Sequence, residues 1–443
     1  MVRDADTRLL PEFGCIFCSI SLMNSATPMS TQPLSSTLSS NKMSSSEIRA
    51  GASLASIFAL RMFGLFLILP IFAIHAKTLP DGDNAALVGM AMGIYGLTQA
   101  CLQILFGIAS DKYGRKPVII VGLILFAVGA VIAAMSHTLM GILIGRAVQG
   151  AGAISAAITA LLADTTREEH RTKAMAMVGG SIGISFALSL VLAPVLYQRI
   201  GMDGIFILTA VMAIAAIGVV TWITPDAPSV PTVKVPLIEV LKNPELMRLN
   251  LGVFVLHLSQ VAMFVVVPSA LVQYAHLPLD KHWEVYLPVV FGSFFLMLLA
   301  IMRGERSGKM KQIFVWSIAL LMLVQLGFWG FLENATMLIA MLFAFFLAFN
   351  ILEASQPSLV SRLAPPSAKG AALGVYNTLQ ALGLACGGFV GGWMKQNVSA
   401  SSVFIFTAIL SLIWLIIASR MPEFPKRASK PDSANSGDIA SKV

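Results

Sequence analysis

Gly107-Ile-Ala-Ser-Asp111-Lys-Tyr-Gly114-Arg115-Lys116-Pro117 is a turn with one acid, three bases and two glycines, set between two long apolar runs. Neither the run before it, from about Leu87 to Ala109, nor the run after it, from about Val118 to Met135, carries a formal charge. Charged side chains and unpaired backbone are costly in hydrocarbon, so this turn marks a membrane face and the runs beside it are spans.

Composition points the same way. Of 443 residues, 57% are hydrophobic and 12% charged, against about a quarter charged in a soluble domain. The net charge of +8 is spread over many short loops. It therefore sets topology and does not form a nucleic-acid footprint. Four cysteines are too few for a disulfide framework; Cys101 and Cys386 fall in apolar segments, and the Cys15–Cys18 pair lacks the second ligand pair that a metal would need.

Residues 1–47, rich in Ser, Thr and Pro, read as a disordered tail, with Met1, Met29 and Met43 all candidate start positions. Twelve apolar segments follow, at about 52–75, 86–110, 117–135, 138–163, 172–198, 203–223, 248–274, 283–302, 312–331, 335–361, 370–394 and 401–419. At about 1.5 Å per residue each is long enough to span as a helix. Lys and Arg test the layout. The tails and loops on the side of the N-terminus hold 24 of the 30, and the opposite loops hold Lys77, Arg199, Lys281 and Lys395. Arg61 and Arg146 lie within spans. So lopsided an alternation implies an even number of spans with both termini in the cytoplasm.

The longest loop, Thr224–Leu246, opens on four prolines and ends on Leu237-Ile-Glu-Val-Leu241, which suits a short helix on the cytoplasmic surface. It divides the spans six and six. The halves echo each other, since Arg171-Thr-Lys-Ala opens span five and Ala368-Lys-Gly-Ala opens span eleven. Two six-span repeats about a central loop describe a carrier that rocks around a site between its halves.

Gly107-x-x-x-Asp111-x-x-Gly114-Arg115-Lys116 resembles the signature of the major facilitator superfamily between its second and third helices. Arg146-Ala-Val-Gln-Gly150-Ala-Gly152 is similar to that superfamily's motif in span four. Leu60-Arg-Met-Phe-Gly, Gly93-Ile-Tyr-Gly-Leu-Thr-Gln-Ala, Arg167-Glu-Glu-His-Arg-Thr-Lys and Gly374-Val-Tyr-Asn-Thr resemble YajR-type bacterial inner-membrane efflux transporters, over about 48–422. YajR-type proteins can carry a small soluble C-terminal domain, which is not evident here. The resemblance implies an all-α membrane protein of twelve transmembrane helices in two pseudo-symmetric six-helix bundles. The expected divisions are a tail at 1–47, bundles at 48–224 and 247–421, a linker at 225–246 and a disordered tail at 422–443. It also implies alternating access, commonly proton-driven efflux of drugs or small solutes, and names no cargo.

The resemblance extends to the opening turn, as a conformational latch. Gly107 would let span two pack closely on span eleven, Asp111 would accept hydrogen bonds at the N-terminus of span eleven near Gly370, and Arg115 would bridge Asp111 and Asp164. Gly114 completes the turn. The plainer reading, a topogenic loop, explains Lys112 and Lys116 and leaves Asp111 and the glycines unexplained.

Inside the spans each ionisable group needs a reason. Arg61, counted with the proton-coupling candidates, either lines the cavity or holds a carboxylate partner, or else snorkels to the cytoplasmic face. For Arg146, which the resemblance associates with proton transfer, a guanidinium that keeps its proton could act only on a neighbour or on water. Glu353 is the leading candidate to gain and lose a proton, and Asn350, three residues before it on the same helix face, is a candidate for the substrate cavity. His257 is the second. Tyr95, Gln99 and Gln103 form one polar stripe on span two, and Tyr376, Asn377 and Gln380 a patch on span eleven. These either line a cavity for an amphipathic solute or bond between helices. Span five carries Gly179-Gly-Ser-Ile-Gly183 and Ala193-Pro194 without the longer glycine pattern of family antiporters, which weakens antiport and leaves alternating access untouched.

No Walker loop, His-Glu-x-x-His or Gly-x-Ser-x-Gly occurs, so neither ATP nor hydrolytic chemistry is expected. The expectation is a monomeric, multi-pass carrier of the cytoplasmic membrane with a small-molecule substrate, no nucleic acid, no metal and no cofactor beyond the proton gradient. Its alternatives are an uncoupled facilitator or importer and a non-transporting membrane sensor.

Overall fold

A computed structural model describes residues 42–226, 237–365 and 368–424. Cys15, Cys18, Met1, Met29 and the ends of both tails lie outside the described residues. The apolar runs fold as helices because that is how a chain satisfies its own backbone in lipid. Helix α1, Ser45–His75, opens on a capping box in which Ser44 Oγ accepts from the Glu47 amide at 3.2 Å and Glu47 Oε2 accepts from the Ser44 amide at 2.8 Å. The expected disordered tail of 1–47 therefore gives way to helix at Ser45, so that its last three residues are helical.

Helix α2, Ala85–Tyr113, is capped by Asn84, whose side chain accepts from the Leu87 amide at 3.0 Å, and it stops at Gly114. The φ of 94° at Gly114 lies where a side chain would be strained. α3 is Arg115–Ala134. Span four, expected to be continuous, breaks into α4, Leu139–Ala151, and α5, Ser155–Asp164. The Gly150-Ala-Gly152 run supplies the break, and Gly152 lies so near α3 that a Cβ there would meet the Gly122 carbonyl oxygen at 2.2 Å.

α6 is helical from Glu168 to Gly218 except at Gly201, with φ 66° and ψ −174°, and ends in a wider turn, Val219–Ile223. Its apolar part, Glu169–Ile223, has 55 residues. Straight, that would be about 80 Å long at 1.5 Å per residue, more than twice the hydrocarbon core. Gly201 divides it into the expected spans five and six, joined without a loop. The short α7, Leu237–Lys242, is the helix expected in the linker. Then come α8, Pro244–Tyr274; α9, His282–Ser307; α10, Met310–Phe331; α11, Ala335–Leu363; α12, Lys369–Asn397; and α13, Ser402–Ser419. Among the described residues eleven helices are long and apolar enough to cross a membrane, and the break at Gly201 makes twelve spans.

Exposed apolar side chains such as Ile108, Val121, Ile214, Phe291 and Trp316 belong against lipid tails. α8 lies at the centre, with Leu256 and Phe264 fully buried. Two ends can be named by charge: a basic end, carrying the Gly107–Pro117 turn, and the opposite end. At the opposite end α2 and α12 touch backbone to backbone. A Cβ on Gly89 would stand 2.2 Å from the Gly388 carbonyl oxygen, and one on Gly388 would stand 2.4 Å from that of Gly89. Gln396 Oε1 accepts from the Ala85 amide at 2.7 Å beside this crossing.

Candidate functional site

Arg61 does not snorkel; it is fully buried. Its Nη1 donates to Ser155 Oγ at 3.3 Å, and its Nη2 donates to the Gly152 carbonyl at 3.3 Å, to Gln99 Oε1 at 3.4 Å and to the Tyr95 hydroxyl. The Gly152 carbonyl lies at the C-terminal end of α4, where the helix dipole favours a cation. Arg61 therefore holds both sides of the break in span four and ties them to α2. Arg146, 2% exposed, stacks over the Tyr95 ring at 5.0 Å and donates to Gln149 Oε1 at 3.2 Å. Arg61 also faces the rings of Tyr95 and Phe126, at 5.8 and 5.6 Å. Ring faces and neutral acceptors replace the missing water around both cations, since no carboxylate pairs with either among the described residues.

Gln103 accepts from Gln99 Nε2 at 3.5 Å, and both are buried. The polar stripe of α2 therefore bonds within the protein and does not line an open cavity.

Across the α2–α12 contact lies a second cluster. His257 Nδ1 is 3.0 Å from the Val253 carbonyl, and its Nε2 is 2.7 Å from Gln380 Nε2 and 3.5 Å from Glu353 Oε2. The Glu353 side chain is 27% exposed, yet Oε2 itself is buried without a hydrogen bond. The Tyr376 hydroxyl is likewise buried and unbonded. Asn350, expected beside Glu353, turns to α9 and donates to Ser293 Oγ at 3.1 Å. Three residues along a helix leave the two side chains about 60° apart, enough to face different neighbours.

At the basic end a cavity of about 150 Å³ separates α5 and α6 from α11 and α12. Asn377, Gly374, Gly370 and Lys369 line one side, and Thr159 and Arg171 line the other. The expected latch is only partly assembled here. Arg115 bonds Asp111, Ser110 Oγ at 2.8 Å and, through Nε, Asp164 Oδ2 at 2.9 Å. Gly370, however, faces open space, and a Cβ on Gly107 would meet Ala156 of α5, at 3.6 Å, and nothing of α12. The close glycines of α2 are at its other end, and the halves stand apart at this one.

Some partners escaped the sequence reading. Ser110 joins the Asp111–Arg115–Asp164 group, and Arg167 donates to Glu47 from Nε at 3.0 Å and from its amide at 2.9 Å, fastening α1 to the turn before α6. The Glu47 carboxylate, hydrogen-bonded to it, holds the Arg167 guanidinium above its ordinary range. Gln149 was findable, one turn after Arg146. Ser293, Gln325 and Gln356 gave no such signal, and both amide atoms of Gln325 and of Gln356 are buried without a partner.

The chain matches the family model described as Major Facilitator Superfamily over residues 52–385 and 249–441. It is 42% identical over 390 residues to the inner membrane transport protein YajR of Escherichia coli, covering 87% of this chain and 86% of that one. It is 25% identical over 344 residues to the multidrug resistance protein MdtH of Yersinia enterocolitica, covering 76% and 84%. Among solved structures the human organic anion transporter MFSD10 superposes with a TM-score of 0.65 at 18% identity, over 84% of this chain and 99% of that one, a likeness of fold alone.

Proposed function

The chain belongs to the Major Facilitator Superfamily, and from that premise we propose that it exports a small amphipathic solute from the cytoplasm across the inner membrane, driven by protons. The observation that carries the reading is the Glu353–His257 pair, a titratable acid and base 3.5 Å apart in the membrane interior. It sits beside the helix, α12, that joins the halves. Support also comes from the cavity at the basic end and the closed α2–α12 crossing at the opposite end. With the basic end in the cytoplasm, as the Lys and Arg distribution implies, this is an inward-open carrier. Efflux is supported by the multidrug resistance relative. The carrier works as a monomer with both termini in the cytoplasm, and no cofactor beyond the proton gradient is invoked.

The test is flux of fluorescent amphipathic dyes in proteoliposomes with an imposed pH gradient. Accumulation that follows the gradient supports the proposal; flux indifferent to it leaves an uncoupled facilitator.

The Asp111–Arg115–Asp164 group is proposed to complete its latch when the cytoplasmic side closes, with Asp111 meeting the N-terminus of α12. Asp111→Asn is then expected to insert normally and to favour the open cytoplasmic cleft by about 1 kcal/mol, the usual worth of a helix-end charge. Thiol labelling of Gly374→Cys should quicken about fivefold; an unchanged rate counts against the latch.

A further inference from the structure

His257 Nδ1 faces the carbonyl of Val253, which can only accept, so Nδ1 carries a proton. In the neutral ring Nε2 is therefore a bare lone pair. That lone pair is met by the amide nitrogen of Gln380 at 2.7 Å, which donates to it. Glu353 Oε2 stands 3.5 Å from the same nitrogen with no hydrogen bond of its own. A carboxylate facing a lone pair would be repelled, so with Gln380 donating to Nε2 this arrangement suits a Glu353 side chain that holds a proton. When the proton passes to Nε2, the ring becomes a donor there. Nε2–H then bonds the Glu353 carboxylate, and the Gln380 amide can no longer donate to it. One ring nitrogen thus has two partners, on α11 and on α12, and a single proton selects between them.

We propose that Gln380 is a positioning residue that reports the proton state of the Glu353–His257 pair to α12 by making or losing its hydrogen bond to His257. The inference rests on the proton-coupled reading above and adds the element that feels the proton. α12 is suited to the role. Its Gly383 and Gly387 lie against the backbone of α8, and its Gly388 lies against α2, so a shift at Gln380 bears on both halves. The ring of His257 is held from the side by Phe349, 5.8 Å between centroids, which leaves Nε2 as its exchangeable corner. Other titratable side chains in the interior of the surrounding helices include Arg61 on α1, Tyr95 on α2, Tyr286 on α9, and Tyr376 and Cys386 on α12. Toward the faces stand Glu245 and Arg248 on α8, Arg362 with Glu305, and Lys369 and Lys395 on α12. α13 carries no charged side chain.

The experiment uses the full chain in lipid nanodiscs, its native cysteines replaced by serine, with two readings against pH. Infrared difference spectra follow the protonated-carboxyl band of Glu353, assigned by its loss in Glu353→Gln. Thiol labelling of Gly374→Cys follows the basic-end cavity. In the parent chain both are expected to change together, the labelling rate by about tenfold, within the usual range of coupling between sites. Gln380→Met keeps length and apolar bulk but not the donor. It is expected to keep the titrating band and lose the pH dependence of labelling, and His257→Gln, which removes the bare nitrogen, to do the same. Pairing of the two readings as in the parent chain, in Gln380→Met or, should that fail to fold, in His257→Gln, overturns the role of Gln380. A parent band that does not titrate removes Glu353 itself, and the proton-coupled reading with it.

Discussion

Glu353→Gln is expected to abolish solute accumulation driven by a pH gradient while leaving downhill exchange in place. The amide has the shape of the protonated carboxyl and cannot release a proton, so on the proposed coupling the variant would be fixed in the proton-loaded form. The expected effect is large. A gradient of about two units is worth about 2.7 kcal/mol per proton, at 1.36 kcal/mol per unit. One-for-one coupling would therefore sustain about a hundredfold concentration ratio. Without a releasable proton the ratio falls to one. Dye accumulation in proteoliposomes reads this directly, and counterflow with no gradient confirms that the variant still binds and rocks. A variant that still concentrates dye would take coupling away from Glu353. Arg61→Gln, by contrast, should weaken assembly as well as transport, because it unties the two sides of the break between α4 and α5.

What could be read from the sequence and what could not divide along physical lines. The spans were legible because a bilayer penalises charge so heavily that Lys and Arg settle at the ends. The Arg115 bridge from Asp111 to Asp164 was legible through the superfamily signature that Asp111 and Arg115 share. Glu353, His257 and Gln380 were each singled out, but their meeting was not, since the residues sit on three helices and His257 and Gln380 are 123 positions apart. The depth of Arg61 was ambiguous because nine residues into a span suits either an inward or a snorkelling side chain. Its partner, the Gly152 carbonyl, becomes available only because the helix breaks there, and a glycine-rich run gives no sign of whether it packs or unwinds. Gly107 was expected against span eleven, whereas Gly89, Gly93 and Gly96 make that contact. A sequence serves both states of a rocking carrier, so it cannot say which end of α2 is closed in one of them.

That crossing gives the second large effect, with Gly388→Leu. A Cβ there would lie 2.4 Å from the Gly89 carbonyl oxygen and 2.6 Å from the Gly93 amide nitrogen, backbone atoms that cannot turn aside. Forcing a side chain into such a contact costs about 1–3 kcal/mol. The penalty falls only on the state in which α2 and α12 touch at the opposite end, because separation of the halves there removes the neighbours. At 1.4 kcal/mol per factor of ten, the population open at the basic end drops by about five- to a hundredfold relative to the one closed there. Net transport should fall with it, since each cycle must pass through the state now disfavoured. Thiol labelling distinguishes this from simple unfolding. Gly374→Cys, at the basic end, should become protected, while a cysteine at Ala85, beside the crossing, becomes reactive. Protection lost at both ends would mean a disordered protein. Labelling unchanged at both would mean that the crossing opens too little, or too late, for the glycines to control it. Gly374→Leu, where a Cβ meets nothing within 4 Å in this state, is expected to push the other way, obstructing closure of the basic-end cavity. Opposite shifts from one substitution type at two ends of α12 are what alternating access requires, and a single rigid channel would not give them.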